Sequence, residues 1–321
     1  MCREFVRSVG HALLRLAFMS LFLLLSAKAA SARDVLPSQK IKNNADDVLA
    51  IMAFSVVPDL TASFLSFDDS QSGENRLNMI QVAGGESFGR SIPVYLEGSA
   101  AYMRYDPTFV ATLGQEKRRL AARWNSIALT GGVGLDFSLT KHWVLRPIFN
   151  FSLGHLESDS SLAGRYLDSQ FDQSFDFLKN GQLNAYGLGG SVMLDYTLVK
   201  PEYEIDFELR YTNIRLKAFK SSQAVGGTAS AEAASIYARY RAPTGLYVMD
   251  RPLRYVLELA STTYLGDQRG LLGFNNLSSV GAGIEFDSSA KSGLISRTRI
   301  VGRYAFGQNV QGFAIGLAVS F

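Results

Sequence analysis

EYEIDFELRYTNIRL, residues 202–216, puts Tyr203, Ile205, Phe207, Leu209 and Tyr211 on one parity and Glu202, Glu204, Asp206, Glu208 and Arg210 on the other. A period of two is the mark of a β-strand, whose successive side chains point to opposite faces. A soluble sheet also alternates, but its polar face meets bulk water and is rarely so densely charged at consecutive positions. The stretch therefore asks what medium lies on each side of it.

The same pattern recurs along the chain. Val133, Leu135, Phe137 and Leu139 alternate with Gly134, Asp136 and Ser138, and Phe149, Phe151 and Leu153 with Asn150 and Ser152. Tyr186, Leu188, Val192, Leu194 and Tyr196 oppose Ser191, Asp195 and Thr197; Leu253, Tyr255, Leu257 and Leu259 oppose Arg254 and Glu258; Val280, Ala282, Ile284 and Phe286 oppose Glu285 and Asp287. Beyond the leader the longest apolar run is Val48 to Phe54, far short of a membrane helix. Repeated dyad segments parted by turn residues are the signature of a transmembrane β-barrel. Short joins at 140–142, 199–201 and 289–293 alternate with longer polar stretches at 160–181, 221–233 and 266–276. The segments count to an all-β, antiparallel barrel of about twelve strands, with ten as the alternative. The join 242–252 is long for the short-turn side, and the strand around Leu77 to Val82 is weak.

Lipid offers no hydrogen-bond partner, so only a closed sheet satisfies its backbone there, and the side chains divide into a lipid face and a lumen face. On that reading Glu204, Asp206, Glu208, Arg210, Arg239, Arg241, Arg254, Glu258, Glu285, Asp287, Arg299 and Arg303 point inward. Both signs occur, which predicts cross-strand ion pairs and not a ring of one charge. Trp143, Tyr196, Tyr203 and Phe286 fall near short turns, as an aromatic girdle requires.

The N-terminus supplies the compartment. Arg3 and Arg7 precede the apolar run Leu16–Leu25, which ends at small residues around Ala30 and Ala32, the pattern of a secretory signal peptide cut after Ala32. The one cysteine, Cys2, lies within it, so stability must come from a large core or a closed hydrogen-bonded sheet and not from disulfides. The chain carries 32 Lys+Arg and 29 Asp+Glu; the leader holds Arg3, Arg7, Arg15 and Lys28 against Glu4, and without it the two totals are equal. Nothing in that balance argues for a nucleic-acid partner. The organisation expected is a leader over 1–32, a linker and lumen helix over 33–54, and the barrel over 55–321.

At the other terminus, GFAIGLAVSF puts Phe313, Ile315, Leu317, Val319 and the final Phe321 on one parity. This resembles the C-terminal signal of bacterial outer-membrane proteins, which implies outer-membrane lipid as the surroundings and the barrel-assembly machinery as a partner. Ahead of the first strand, residues 38–54 hold Asn43 or Asn44 as a helix cap, Asp46 and Asp47 in the first turn, and Val48, Ile51 and Met52 at helical spacing. A helix leading into a barrel of about twelve strands resembles the translocator domain of bacterial autotransporters. Only residues 33–54 lie between the cleavage site and the barrel, so the likeness is to a solitary translocator barrel with no passenger in cis. The resemblance implies a helix within the lumen, and charge sign suggests Asp46 and Asp47 pairing there with Arg239 or Arg241. A monomer in the outer membrane of a Gram-negative bacterium is the expectation, with a small-solute pore as the alternative and a rim hydrolase less favoured.

Chemistry finds little support. His142 falls in a short turn. His155, within HLESDSS, has Glu157, Ser158, Asp159 and Ser160 nearby, but its parity is that of the lipid-facing Phe149, Phe151 and Leu153, and sequence cannot supply the geometry a His base needs. No catalytic residue, metal ligand set or cofactor site is expected. The glycines of GGVG (131–134) and GLGG (187–190) do not open a helix after a strand, and are read instead as relieving crowding where the lumen helix approaches.

Overall fold

The computed structural model describes residues 45–58, 64–69, 76–88, 93–106, 108–113, 116–121, 123–158, 182–219, 227–248, 250–287 and 297–320. The leader with Ala30 and Ala32, the capping Asn43 and Asn44, the stretch 160–181, the turn 289–293 and Phe321 lie outside them. So do the side chains of Asp46, Asp47, Val48, Leu317 and Val319.

Among the described residues one helix, α1 (Ala45–Val56), precedes the strands β1 (Phe64–Asp69), β2 (Arg76–Phe88), β3 (Val94–Asp106), β4 (Thr108–Leu113), β5 (Glu116–Ala121), β6 (Trp124–Leu135), β7 (Phe137–Ser138) and β8 (Trp143–Ser158). Then follow β9 (Gln182–Val199), β10 (Glu204–Phe219), β11 (Thr228–Val248), β12 (Arg251–Tyr264), β13 (Asn276–Asp287), β14 (Arg297–Gly307) and β15 (Val310–Ser320). The ring runs β1, β2, β3, β6, β8, β9, β10, β11, β12, β13, β14, β15 and back to β1, all antiparallel. That is the twelve-stranded barrel of the pattern count. β7 continues β6 in the same register on β8, with Gly134 opposite Ile148 and Phe137 opposite Leu145. β4 and β5 pair only with each other, as a hairpin that extends the β3–β6 connection beyond the barrel.

Several boundaries differ from expectation. The helix continues to Val56 and the first strand starts at Phe64, so the barrel does not begin at 55. The stretch 242–252 is no long join: β11 runs to Val248 and β12 starts at Arg251, with a register shift between Pro243 and Tyr247. Proline cannot donate to the ladder, and the irregularity accommodates it. Asp250 turns the hairpin at a φ of 60°, a left-handed conformation Asp tolerates better than most residues. The polar stretch 221–233 is partly strand, since β11 starts at Thr228.

The outward face is apolar across the middle of the barrel. Ile127, Leu129, Val133, Phe149, Phe151, Leu188, Val192, Leu209, Leu257, Ile284, Ile300, Phe313 and Ile315 are all exposed. Among the described residues no helix is long and apolar enough to cross a membrane. With 16 residues in β8, 18 in β9 and 16 in β10, these strands exceed the roughly ten a tilted strand needs to span hydrocarbon. Leu129 is 55 % exposed on that face. Leu129→Arg is expected to cost about 2–4 kcal/mol if it lies near the midplane, read from urea unfolding in lipid vesicles. A loss no larger than for a polar change at the exposed tip residue Arg269 would mean Leu129 does not face lipid.

Candidate functional site: a lumen closed twice

Inside, the two halves of the barrel differ. Toward the end that carries the short turns, the inward positions are charged, as the opening stretch promised: Glu204, Arg210, Arg241, Arg254, Glu258, Glu285, Arg299 and Arg303 are all buried within the ring. Toward the loop end the inward positions turn apolar. On β10 the inward parity runs Glu204, Asp206, Glu208, Arg210, Thr212 and then Ile214 and Leu216, both 0 % exposed. Its outward parity runs Leu209, Tyr211 and then Asn213, Arg215 and Lys217. No break in pairing causes this, because β9 and β10 stay in one register from Val199↔Glu204 to Asn184↔Phe219. Side-chain chemistry inverts while the faces do not. Among the described residues the buried charge is thus confined to the turn-end half of the lumen.

The helix explains the inversion. Leu49, Met52, Ala53 and Val56 are 0 % exposed, and Ala50, Ile51, Phe54 and Val57 are buried with them. They pack in one cluster with Leu77, Met79, Met103, Tyr105, Trp124, Leu156, Leu183, Ile214, Leu216 and the alanines Ala229, Ala231 and Ala233. A helix apolar on every side is stable only when surrounded, and here the barrel wall surrounds it. The helix descends as it goes. Met52 lies against Gly154, which shares a level with Ala128, while the Val56 carbonyl accepts a hydrogen bond from Thr130, two residues further toward the turn end of β6. Val57 in turn accepts from Gln81 Nε2 at 2.9 Å, and Thr130 bonds Ser152 at 2.9 Å. Wall side chains thus take carbonyls that a helix C-terminus leaves without an internal partner.

Gly154 is glycine because any Cβ there would overlap the Met52 thioether. Gly154→Leu is expected to displace α1 while leaving the strand ladder intact. Protease cleavage within 45–57 of the folded barrel would report it; cleavage no faster than in the parent would show that the wall yields instead.

Above the helix, the stretch 265–275 folds inward and is not a free polar loop. Leu265 and Gly266 donate backbone hydrogen bonds to Glu232 O, and Asp267 Oδ2 and Gln268 Oε1 accept from the Ser230 and Glu232 amides. Phe274 then meets Phe54 and Tyr264, with ring centroids 6.1 and 5.9 Å away. The apolar residues Leu271, Leu272 and Phe274 inside an otherwise polar stretch were the signal that sequence reading passed over.

Below the helix, ion pairs bridge the lumen. Arg210 on β10 makes a bidentate contact with Glu97 on β3, at 2.8 and 2.5 Å, across three intervening strands. Asn150 donates to Glu97 and accepts from Ser191, and Ser191 bonds Thr212. Gly132 leaves the room in which Glu97 and Asn150 sit. Beside this cluster Arg146 pairs with Asp136 and stacks over the Tyr95 ring at 3.9 Å. On the other side Glu204 binds Arg241 at 2.7 Å, Arg254 at 2.7 Å and Arg297 at 3.0 Å. Glu285 binds Arg241 at 3.2 Å, and Glu258 binds Arg303 at 2.6 Å and Arg299 at 3.3 Å. Arg239 pairs with Asp206. Strand carboxylates thus lie against Arg239 and Arg241, while the pairing expected of Asp46 and Asp47 falls on side chains outside the described residues. Glu208 shares the inward face, opposite Asp195. Sequence reading named Arg210 but not its partner Glu97, because the contact joins residues 113 apart in the chain.

His155 faces outward near the loop end. Nδ1 lies 2.8 Å from Asn184 Oδ1 and Nε2 2.9 Å from Glu157 Oε1. Both ring nitrogens are engaged, so neither is turned toward a nucleophile. His142 contacts the Thr197 carbonyl at 3.0 Å in a short turn, beside Trp143 and Tyr196, whose rings lie 4.8 Å apart. Among the described residues no group of three metal-binding side chains assembles.

No protein-family model matches the sequence, and no curated protein matches it. Solved structures with a similar fold include the β domain of the Bordetella autotransporter BrkA, at 12 % identity and a TM-score of 0.47, covering 80 % of this chain and 96 % of that one. The translocator domain of NalP from Neisseria meningitidis has 12 % identity and a TM-score of 0.44, with coverages of 80 % and 85 %. The transport unit of AIDA-I from Escherichia coli has 12 % identity and a TM-score of 0.41, with coverages of 87 % and 99 %.

Proposed function

We propose that this chain is an outer-membrane barrel of the autotransporter-translocator kind, at rest in a closed state and carrying no cargo while its helix is seated. The observation that carries the reading is the burial of Leu49 through Phe54, with Val56 and Val57, inside a closed ring of twelve strands. An apolar helix held within a barrel by the barrel's own apolar wall is a built plug, since a water-filled lumen would have no use for Leu156, Leu183, Ile214 and Leu216 pointing inward. The lipid face, the polar inner layer and the descending helix support the same reading. A small-solute pore is the second reading; it has lumen charges in its favour, but those charges are buried and spent on one another.

The test uses the absence of cysteine after Cys2. In protein refolded from residue 33 onward, Ala53→Cys is expected to stay unreactive to a water-soluble maleimide, while Cys in place of the exposed Arg269 (Arg269→Cys) reacts at once. Equal labelling of both would sink the plug.

A further inference from the structure

Above the apolar band, the outward positions become polar strand by strand: Asn125 on β6, His155 and Glu157 on β8, Asn184 on β9, Asn213, Arg215 and Lys217 on β10, Glu232 on β11. In a barrel standing in lipid, such a change on the outward face marks the level at which hydrocarbon gives way to headgroups. Most of its charges are matched inside the protein. Asp106 takes Arg104 at 3.0 Å and Arg123 at 3.5 Å, Glu157 takes His155, Glu232 accepts from the Tyr211 hydroxyl at 2.6 Å, and Asp267 accepts from a backbone amide.

Arg215 and Lys217 are the exception. Both are exposed on the lipid side, two residues apart on one strand and hence roughly 7 Å from each other. Among the described residues, neither has a carboxylate within ion-pair distance. Across the ladders Arg215 faces Leu188 and Ser230, and Lys217 faces Tyr186 and Thr228. The acid diagonal to Arg215 is Glu232, already bonded to Tyr211. An apolar and aromatic floor lies beneath, formed by Leu188, Leu209 and Tyr211, and Tyr186 packs on Phe219 at 6.0 Å.

We propose that Arg215 and Lys217 form a binding site for the phosphate of an outer-leaflet lipid, whose acyl chains lie along the Leu188, Leu209 and Tyr211 surface. Two cations at this spacing match a phosphorylated headgroup, and unmatched charge at the interface is stabilised by anionic lipid. Arg adds a planar donor pair suited to phosphate oxygens, and Lys a point charge beside it. The proposal goes beyond the plugged-barrel reading and needs only that the barrel stands in lipid.

The experiment titrates the refolded chain in neutral detergent with a fluorescent bisphosphorylated glycolipid, and separately with the same lipid lacking phosphate. Binding of the phosphorylated form is expected to weaken roughly twenty-five-fold in Arg215→Gln/Lys217→Gln, at about fivefold per cation, with little change in Arg251→Gln at the opposite end of the barrel. Heat-modified gel mobility confirms that each variant remains a folded barrel. Unchanged affinity in the double variant overturns the site. Equal binding of the phosphate-free lipid overturns the phosphate as the ligand. Competition by millimolar inorganic phosphate as effective as by the lipid itself overturns the lipid source and assigns a free anion instead.

Discussion

Removing residues 33–57 is expected to leave a barrel that conducts poorly, not one that conducts freely. Deletion empties the apolar chamber at the loop end, and the small alanine wall of β11 leaves that chamber wide. Beneath it the bridges from Arg210 to Glu97 and from Glu204 to Arg297 still cross the lumen, each between strands four places apart around the ring. Diameter grows with strand number, and a twelve-stranded ring is wide enough to pass ions once emptied. Planar-bilayer recordings should therefore show silence for the full chain and small, brief events for the deletion. Deletion combined with Glu97→Ala and Arg210→Ala should give larger, steady steps. Full-sized steps from the deletion alone would show that the ion pairs are no barrier. Silence in the combined variant would refute a lumen closed in two layers.

The second large effect is on stability. Arg210 and Glu97 side chains are each only 2 % exposed, so removing one leaves the other a buried, uncompensated charge. Arg210→Met is expected to cost about 3–5 kcal/mol, the usual penalty for breaking such a pair from one side. Glu97→Gln together with Arg210→Met should recover much of that loss, because no charge is then stranded. Urea unfolding of the four proteins closes the cycle. Additive losses in the double variant would mean the bidentate contact does not persist in the membrane.

Much of the barrel was legible in residues 202–211 and their counterparts. A period of two needs only local geometry, so alternation alone separates Tyr203, Ile205, Phe207 and Leu209 from Glu204, Asp206, Glu208 and Arg210. The strand count survives the same way, because each strand carries its own pattern and its own turn. What alternation could not convey is that the lumen changes character at Thr212. Ile214 and Leu216 look like a failing pattern until a helix is placed beside them. The switch of apolar residues from odd to even positions was present in the stretch quoted first, and its meaning depended on something outside it.

The sequence by itself determined that this chain forms a closed antiparallel sheet with an apolar outer face, because alternation is a property of each strand alone. The tertiary structure alone decided how the lumen is filled. Which charge meets which, as Glu97 meets Arg210, and which wall holds Met52 and Phe54, follow from register around the ring and from contacts between residues distant in the chain. No local period encodes those.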